Sequence, residues 1–241
     1  MKKSSLLIIA ILCVLCSGCF KQPIKLPDYE ISLYKDKSYM IPAPAHSHYE
    51  YHSLNKFCAS VSTDGLILAN HVGETDILVS NNYDEKIIHV TVEPTYMLYT
   101  EPYINFGESR NAIKARYGTP YQENANAAIF PYEREGFALM VTFDQNDQVV
   151  SYVVVVPNNF YTDLALFLFE RYELNGTGSN NTSYFMNAYS ADEASLFVTV
   201  LPYNANFWFV MYEPFNRNAK LSSFNPTFPD EITDALVKMT R

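Results

Sequence analysis

Three things this sequence has little of set its limits. Glycine is scarce, 8 residues in 241, while tyrosine and phenylalanine are abundant at 19 and 16. That balance excludes a disordered or low-complexity chain and fits β-rich globular structure. Cysteine is nearly absent once the N-terminus is set aside: beyond residue 18 only Cys19 and Cys58 remain. No disulfide framework can be built from that pair if Cys19 is modified, so stability must come from apolar cores. Basic runs are also missing, with 17 Lys and Arg against 26 Asp and Glu, for a formal charge of −9. Such a chain is a poor nucleic-acid ligand, because phosphate contacts dominate that affinity, and it has little attraction for an anionic lipid surface.

The N-terminus has the order of an export signal: Lys2 and Lys3, an apolar run from Leu6 to Leu15, then Cys16-Ser17-Gly18-Cys19. The run is too short for a membrane-spanning helix, which needs about 20 apolar residues. The last four residues resemble the lipobox of bacterial lipoproteins, with Cys16 where that pattern usually has leucine. The resemblance implies cleavage after Gly18 and acylation of Cys19, hence attachment to a membrane through an N-terminal lipid. Removing residues 1–18 takes two lysines with it, leaving the mature chain two units more negative. Phe20, in place of an aspartate after the lipid cysteine, is compatible with sorting to the outer membrane; the face is left open.

Residues 19–26 read as a tether. From 27 to 93 the chain breaks into short alternating runs separated by turn signals, the pattern of a β-sandwich. Thr63-Asp64-Gly65 between two such runs is a hairpin signal. Tyr51-x-Ser53-x-Asn55, then Cys58-Ala59-Ser60-Val61 through Gly65-Leu66-Ile67, then Gly73-x-x-x-Ile77-x-Val79 and Val90-Thr91-Val92 together resemble the group 2 bacterial Ig-like domain. Tyr51 stands where that family usually has tryptophan. The resemblance implies an all-β Ig-like sandwich of the kind found in intimin- and invasin-like surface proteins, where it often serves as a spacer.

Residues 94–241 contain an internal repeat, about 107–157 and 160–214. Leu139-Met140-Val141-Thr142 recurs as Leu196-Phe197-Val198-Thr199, and Tyr132, Val153 and Pro157 match Tyr189, Val210 and Pro214 at the same offset. Arg116-Tyr117 matches Arg171-Tyr172 two residues closer, so an insertion is expected in the loop-like stretch 175–182. Each unit predicts a helix followed by three strands. The first helix runs from Ser109 to Tyr117 and is closed by Gly118; strands follow near 127–132, 137–143 and 149–156. The second helix covers 162–172, with Leu164, Phe167, Leu168 and Tyr172 on one face, and strands near 183–189, 194–201 and 206–213. The expected fold is therefore multidomain: the Ig-like sandwich, then an α+β domain of two αβββ repeats on an antiparallel sheet. A C-terminal helix is predicted over about 229–240, with Ile232, Ala235, Leu236 and Met239 as its apolar stripe. Phe106-Gly107-x-Ser109 and Tyr117-Gly118-Thr119-Pro120 are similar to the opening of small secreted αβββ domains, the group that includes the outer-membrane assembly lipoprotein BamE and tandem-repeat beta-lactamase inhibitor proteins. That resemblance implies a protein-binding sheet surface and no chemistry.

Candidate sites are few. His46, His48 and His52, with Glu50, lie close together in the chain, the residue types that bind zinc, but no further His or Cys completes a tetrahedral set, and an exposed polar strand face is the expectation. His71 stands in a loop with no evident partner. Cys58 reads as a buried apolar residue. No nucleophile elbow, metalloprotease helix or phosphate loop occurs, so no residue is nominated for catalysis, cofactor binding or metal binding, and Cys19 is the one assigned site. The expected function is a membrane-anchored, non-enzymatic binding or cell-adhesion module of the cell envelope, with a protein or glycan partner. The alternative is a periplasmic outer-membrane assembly or inhibitor-type lipoprotein.

Overall fold

The computed structural model describes residues 23–43 and 48–216; the signal, Cys19, His46 and the helix predicted over 229–240 lie outside them. The described chain is predominantly β, arranged in three sheets that are mostly antiparallel. The first seven strands are β1 (Tyr29–Tyr34), β2 (Ser38–Met40), β3 (Glu50–Ser53), β4 (Ala59–Val61), β5 (Leu66–Ala69), β6 (Gly73–Ser80) and β7 (Glu85–Glu93). They form a four-stranded sheet in the order β1-β7-β6-β3 and a three-stranded sheet in the order β2-β5-β4. Period-two burial dictates which side chains meet between them: Thr75, Ile77 and Val79 of β6 and Ile88, Val90 and Val92 of β7 point inward. Cys58, Ala59, Ile67 and Ala69 complete this core from the smaller sheet. β1 joins by a parallel pairing with β7, Tyr29 opposite Ile88. The turn between β4 and β5 requires Gly65, at φ +87°, where a Cβ would also meet the Tyr51 ring at 3.0 Å. The stretch expected to be a free tether is partly built in, because Ile24 and Leu26 are buried in this same core.

After a linker, α1 (Arg110–Tyr117) leads to β8 (Gln122–Glu123), β9 (Ala127–Pro131), β10 (Ala138–Phe143) and β11 (Val149–Pro157); α2 (Tyr161–Arg171) leads to β12 (Glu173–Thr177), β13 (Ser183–Met186), β14 (Leu196–Pro202) and β15 (Phe207–Pro214). The eight strands make one antiparallel sheet in the order β12-β13-β14-β15-β11-β10-β9-β8. Its centre is the β11–β15 pairing, Val154 opposite Val210. Ser109 caps α1 by accepting the Ala112 N–H at 3.3 Å, and Gly118 ends it at φ 85°. Leu139, Val141, Val154 and Val210 face Ile113 of α1 and Leu164, Phe167 and Leu168 of α2, with Leu98 and Tyr99 of the linker laid into the same core. The stretch read as loop over 175–182 is a correction: Glu173–Thr177 forms the edge strand β12, with a bulge between Leu174 and Gly176. Edge strands carry few buried side chains, so no apolar alternation marks them. β8 at the opposite edge escapes a sequence reading for the same reason.

Among the described residues no helix is long and apolar enough to cross a membrane. Phe167 is fully buried while Phe169, two residues on, is 48 % exposed. Phe167→Ala should therefore cost about 3–5 kcal/mol in denaturant unfolding of this sheet, and Phe169→Ala under about 1 kcal/mol.

Candidate binding surface

The residues nominated from sequence do not converge. His48 and His52 are exposed, and among the described residues no three His, Cys, Asp or Glu side chains come together as a metal site. Cys58 is 2 % exposed in the first core, and burial pushes its thiol up to about 11. His71, read as partnerless, is 4 % exposed at the contact between the two parts of the chain.

That contact is built around the C-terminal end of α2. Glu170 is 3 % exposed, and its carboxylate accepts the backbone N–H groups of Thr95 at 2.5 Å and Tyr96 at 2.9 Å. Its own carbonyl accepts the Val72 N–H from the first domain at 2.9 Å. The neighbouring Arg171 guanidinium lies 3.8 Å over the Phe167 ring, donates to the Phe167 carbonyl at 3.1 Å and approaches the Glu101 carboxylate at 3.5 Å. Glu101 in turn accepts the Tyr172 hydroxyl, and Tyr99 and Tyr212 share a hydroxyl–hydroxyl bond of 2.7 Å beside it. Burial holds the Glu101 carboxyl above the usual range, with Tyr172 and Arg171 opposing that shift. On the first domain's side the His71 ring stacks on Phe57 with centroids 3.9 Å apart, and Tyr189 meets the pair edge-on at 5.2 and 5.7 Å. His71 Nδ1 lies 3.0 Å from the Phe57 carbonyl and Nε2 lies 3.7 Å from Glu173.

The other end of α2 is different in kind. An eleven-residue helix is about 16 Å long, so Tyr161 sits well away from the junction. There the strand register gathers the loop 132–137, the turn 158–160 and the hairpin 203–206, because Ala138 pairs with both Pro131 and Val155, and Pro157 with Phe207. Tyr161, 54 % exposed, lies against Trp208 with centroids 5.0 Å apart. The Trp208 indole N–H donates to Asn158 Oδ1 at 2.6 Å, and Asn158 Nδ2 donates to the Ala205 carbonyl at 3.3 Å. Asn204 Oδ1 holds the adjacent turn by accepting the Asn206 and Phe207 N–H groups. Phe160 meets Phe137 edge-on at 5.3 Å, and the Arg134 guanidinium lies 5.4 and 5.7 Å from those two rings. The loop carrying Arg134 also bounds an open cavity of about 320 Å³.

This end combines the exposed Tyr161 ring, the half-buried Trp208 and Phe160 and the exposed Arg134 guanidinium, with side-chain amides held in place beside them; Trp, Tyr and Arg are the residue types that concentrate binding energy at interfaces. Its chemistry is stacking and hydrogen bonding. Sequence reading missed it because Tyr161 and Trp208 are far apart in the chain; the one signal was the chain's single tryptophan placed two residues after the Asn204-Ala205-Asn206 turn.

No protein-family model matches the chain, and no curated protein does. A solved structure, that of the S-layer protein SbsC domains 4 and 5, is similar at 13 % identity over 77 % of this chain and 81 % of its own, with a TM-score of 0.24. A likeness that loose carries nothing about fold or role.

Burial lowers the His71 pKa below the 6.5 of a free imidazole; the Phe57 carbonyl opposes this, Lys35 adds to it, and Glu173 and Asp36 oppose it. A histidine with a depressed folded pKa stabilises the docked state fully above pH 6.5 and loses that contribution as pH falls from 6.5 through its folded value. Amide exchange at Val72, tied to Glu170, should therefore accelerate as pH drops below about 6.5, beyond the intrinsic change in exchange chemistry. His71→Phe, which keeps the stack on Phe57, should remove that dependence.

Proposed function

We propose that this protein is a lipid-anchored, non-enzymatic binding and adhesion module of the bacterial cell envelope. In this reading Cys19 holds the chain to the membrane, the Ig-like sandwich acts as a spacer, and the duplicated domain, expected as αβββ units and built with four strands after each helix, presents the recognition surface. The two-sheet arrangement of the first seven strands supports the Ig-like assignment. The order helix then strands, repeated from α1 and from α2 about the β11–β15 pairing, supports the duplication.

One observation carries the functional reading. The aromatic and Arg134 surface lies at the end of α2 opposite the junction with the first domain, where Glu170 meets Val72. A tethered binder needs its recognition groups turned away from its stalk, and this arrangement meets that requirement. The partner class is a glycan or a peptide with planar or aromatic groups, since both are read by aromatic faces flanked by amides.

The test uses Trp208, the chain's single tryptophan. Titration with envelope glycans, host glycans and matrix-protein peptides should change its emission for at least one ligand. Tyr161→Ala should then weaken that ligand roughly ten-fold or more, about 1.4 kcal/mol. Binding undiminished by Tyr161→Ala, or no emission change across the panel, would contradict the assignment. Protease treatment of intact cells separates the adhesin from its alternative: a surface adhesin is cut, whereas a periplasmic assembly or inhibitor lipoprotein is protected.

A further inference from the structure

We infer that the Tyr161 and Trp208 surface takes an acidic saccharide, a sugar ring carrying a carboxylate, and that Arg134 reads its charge; this rests on the reading of that surface as a binding site. The observation behind it is an arginine without a carboxylate in an acidic chain. Arg110 meets Asp147 at 2.8 Å, Arg116 meets Glu108 at 2.6 Å, and Arg171 lies 3.5 and 3.4 Å from Glu101 and Glu170. Arg134 is the exception among the described arginines, although 26 Asp and Glu against 17 Lys and Arg leave acidic partners in surplus. It is exposed, and its guanidinium lies instead 5.4 Å from the Phe137 ring and 5.7 Å from the Phe160 ring. Stacking against rings orients a guanidinium while leaving its N–H donors unused. Such a fork takes a planar carboxylate through two parallel hydrogen bonds.

The loop backbone fixes where that fork stands. The Arg134 N–H donates to the Tyr132 carbonyl at 2.6 Å, and the Arg134 carbonyl accepts the Phe137 N–H at 3.1 Å. Of the two flanking glutamates, Glu133 is turned to the linker, where its carboxylate accepts the Thr100 N–H at 2.8 Å. Glu135 lines the same open cavity of about 320 Å³ as Arg134 and opposes an incoming anion. The rest of the ligand meets Tyr161 and Trp208, whose planes are inclined by 30° with centroids 5.0 Å apart, the indole pinned by its bond to Asn158. Phe160 joins the two halves, since it adjoins Tyr161 in the chain and meets Phe137 edge-on. The C–H face of a sugar ring stacks on such aromatic groups while its hydroxyls stay in water. An apolar peptide side chain fits less well, because the cavity is open to water between Glu133, Arg134 and Glu135 and would bury little of it.

The test follows Trp208 emission while oligomers of galacturonate and of glucuronate are added, each beside its methyl ester, which keeps the sugar and removes the charge. At least one acid should bind roughly ten-fold or more tightly than its ester, and the difference should shrink as salt is raised. Arg134→Gln should abolish that difference and leave ester binding as it was, while Arg134→Lys, which keeps the charge without the fork, should restore part of it. Glu135→Gln should tighten acid binding by roughly two- to five-fold. An unaltered thermal transition confirms the fold of each variant. Esters that bind as tightly as acids, or an acid preference that survives Arg134→Gln, would overturn the inference and leave the aromatic surface a binding site. Tighter binding of a peptide rich in Asp and Glu than of either uronate would overturn the saccharide as ligand. No emission change with any of these probes would also overturn it, and silence from the remaining glycans and the matrix-protein peptides as well would remove the surface reading on which it rests.

Discussion

Glu170 ties together three pieces of chain: α2, the linker and the first domain. Its carboxylate takes the two N–H groups of Thr95 and Tyr96 in the linker, and its carbonyl takes the Val72 N–H of the first domain. A buried carboxylate near a helix C-terminus is unfavourable on two counts, desolvation and the helix dipole. Two backbone donors and the Arg171 guanidinium at 3.4 Å offset that cost. Because they do, the linker is fixed at its first turn, which sets where Leu98 and Tyr99 enter the sheet's core. Arg171 extends the same network to Glu101 and, through the Tyr172 hydroxyl, toward Tyr212 on β15.

The rest of the arrangement depends on that anchorage. With the first domain held at the C-terminal end of α2, the helix's N-terminal end is the free one, and the antiparallel register delivers three loops there together. The aromatic pair Tyr161 and Trp208 is thus positioned by the same helix whose far end makes the junction. This coupling gives the fold a direction: the first seven strands meet the C-terminal end of α2, and the Tyr161, Trp208 and Arg134 surface lies at the other end. The His71–Phe57–Tyr189 stack adds apolar area to the junction and places a titratable ring inside it.

What could be read from the sequence follows from which physical constraint leaves a local trace. Phe137, Leu139, Val141 and Phe143 alternate because one sheet face is buried under helices, and the strand seen there, Ala138–Phe143, follows that alternation. Leu164, Phe167 and Leu168 recur at helical spacing and are buried together. Arg171 falls on that same stripe, a local sign that a charge must be satisfied inside, yet the groups that satisfy its neighbour Glu170 are backbone amides, which have no sequence signature. β12, with Glu173, Asn175 and Gly176, looks like loop because an edge strand buries little. The parallel pairing of β1 with β7 and the meeting of Tyr161 with Trp208 are products of topology, and no window of sequence contains them. Tyrosine content gave no guidance to the surface either, since Tyr152 and Tyr212 are wholly buried while Tyr161 is not.

Glu170 holds the two domains in one orientation, and amide hydrogen exchange of Thr95 and Tyr96 tests this most directly. Both lie in a linker without regular secondary structure, where free amides exchange at rates close to those of an unfolded chain. Both positions should be strongly protected in the wild-type chain, and Glu170→Ala should remove that protection at both together while β11 and β15 stay protected. Exchange at unfolded-chain rates in the wild type would contradict it: the linker would then be a free hinge, and the aromatic end of the second domain would have no fixed relation to the first domain.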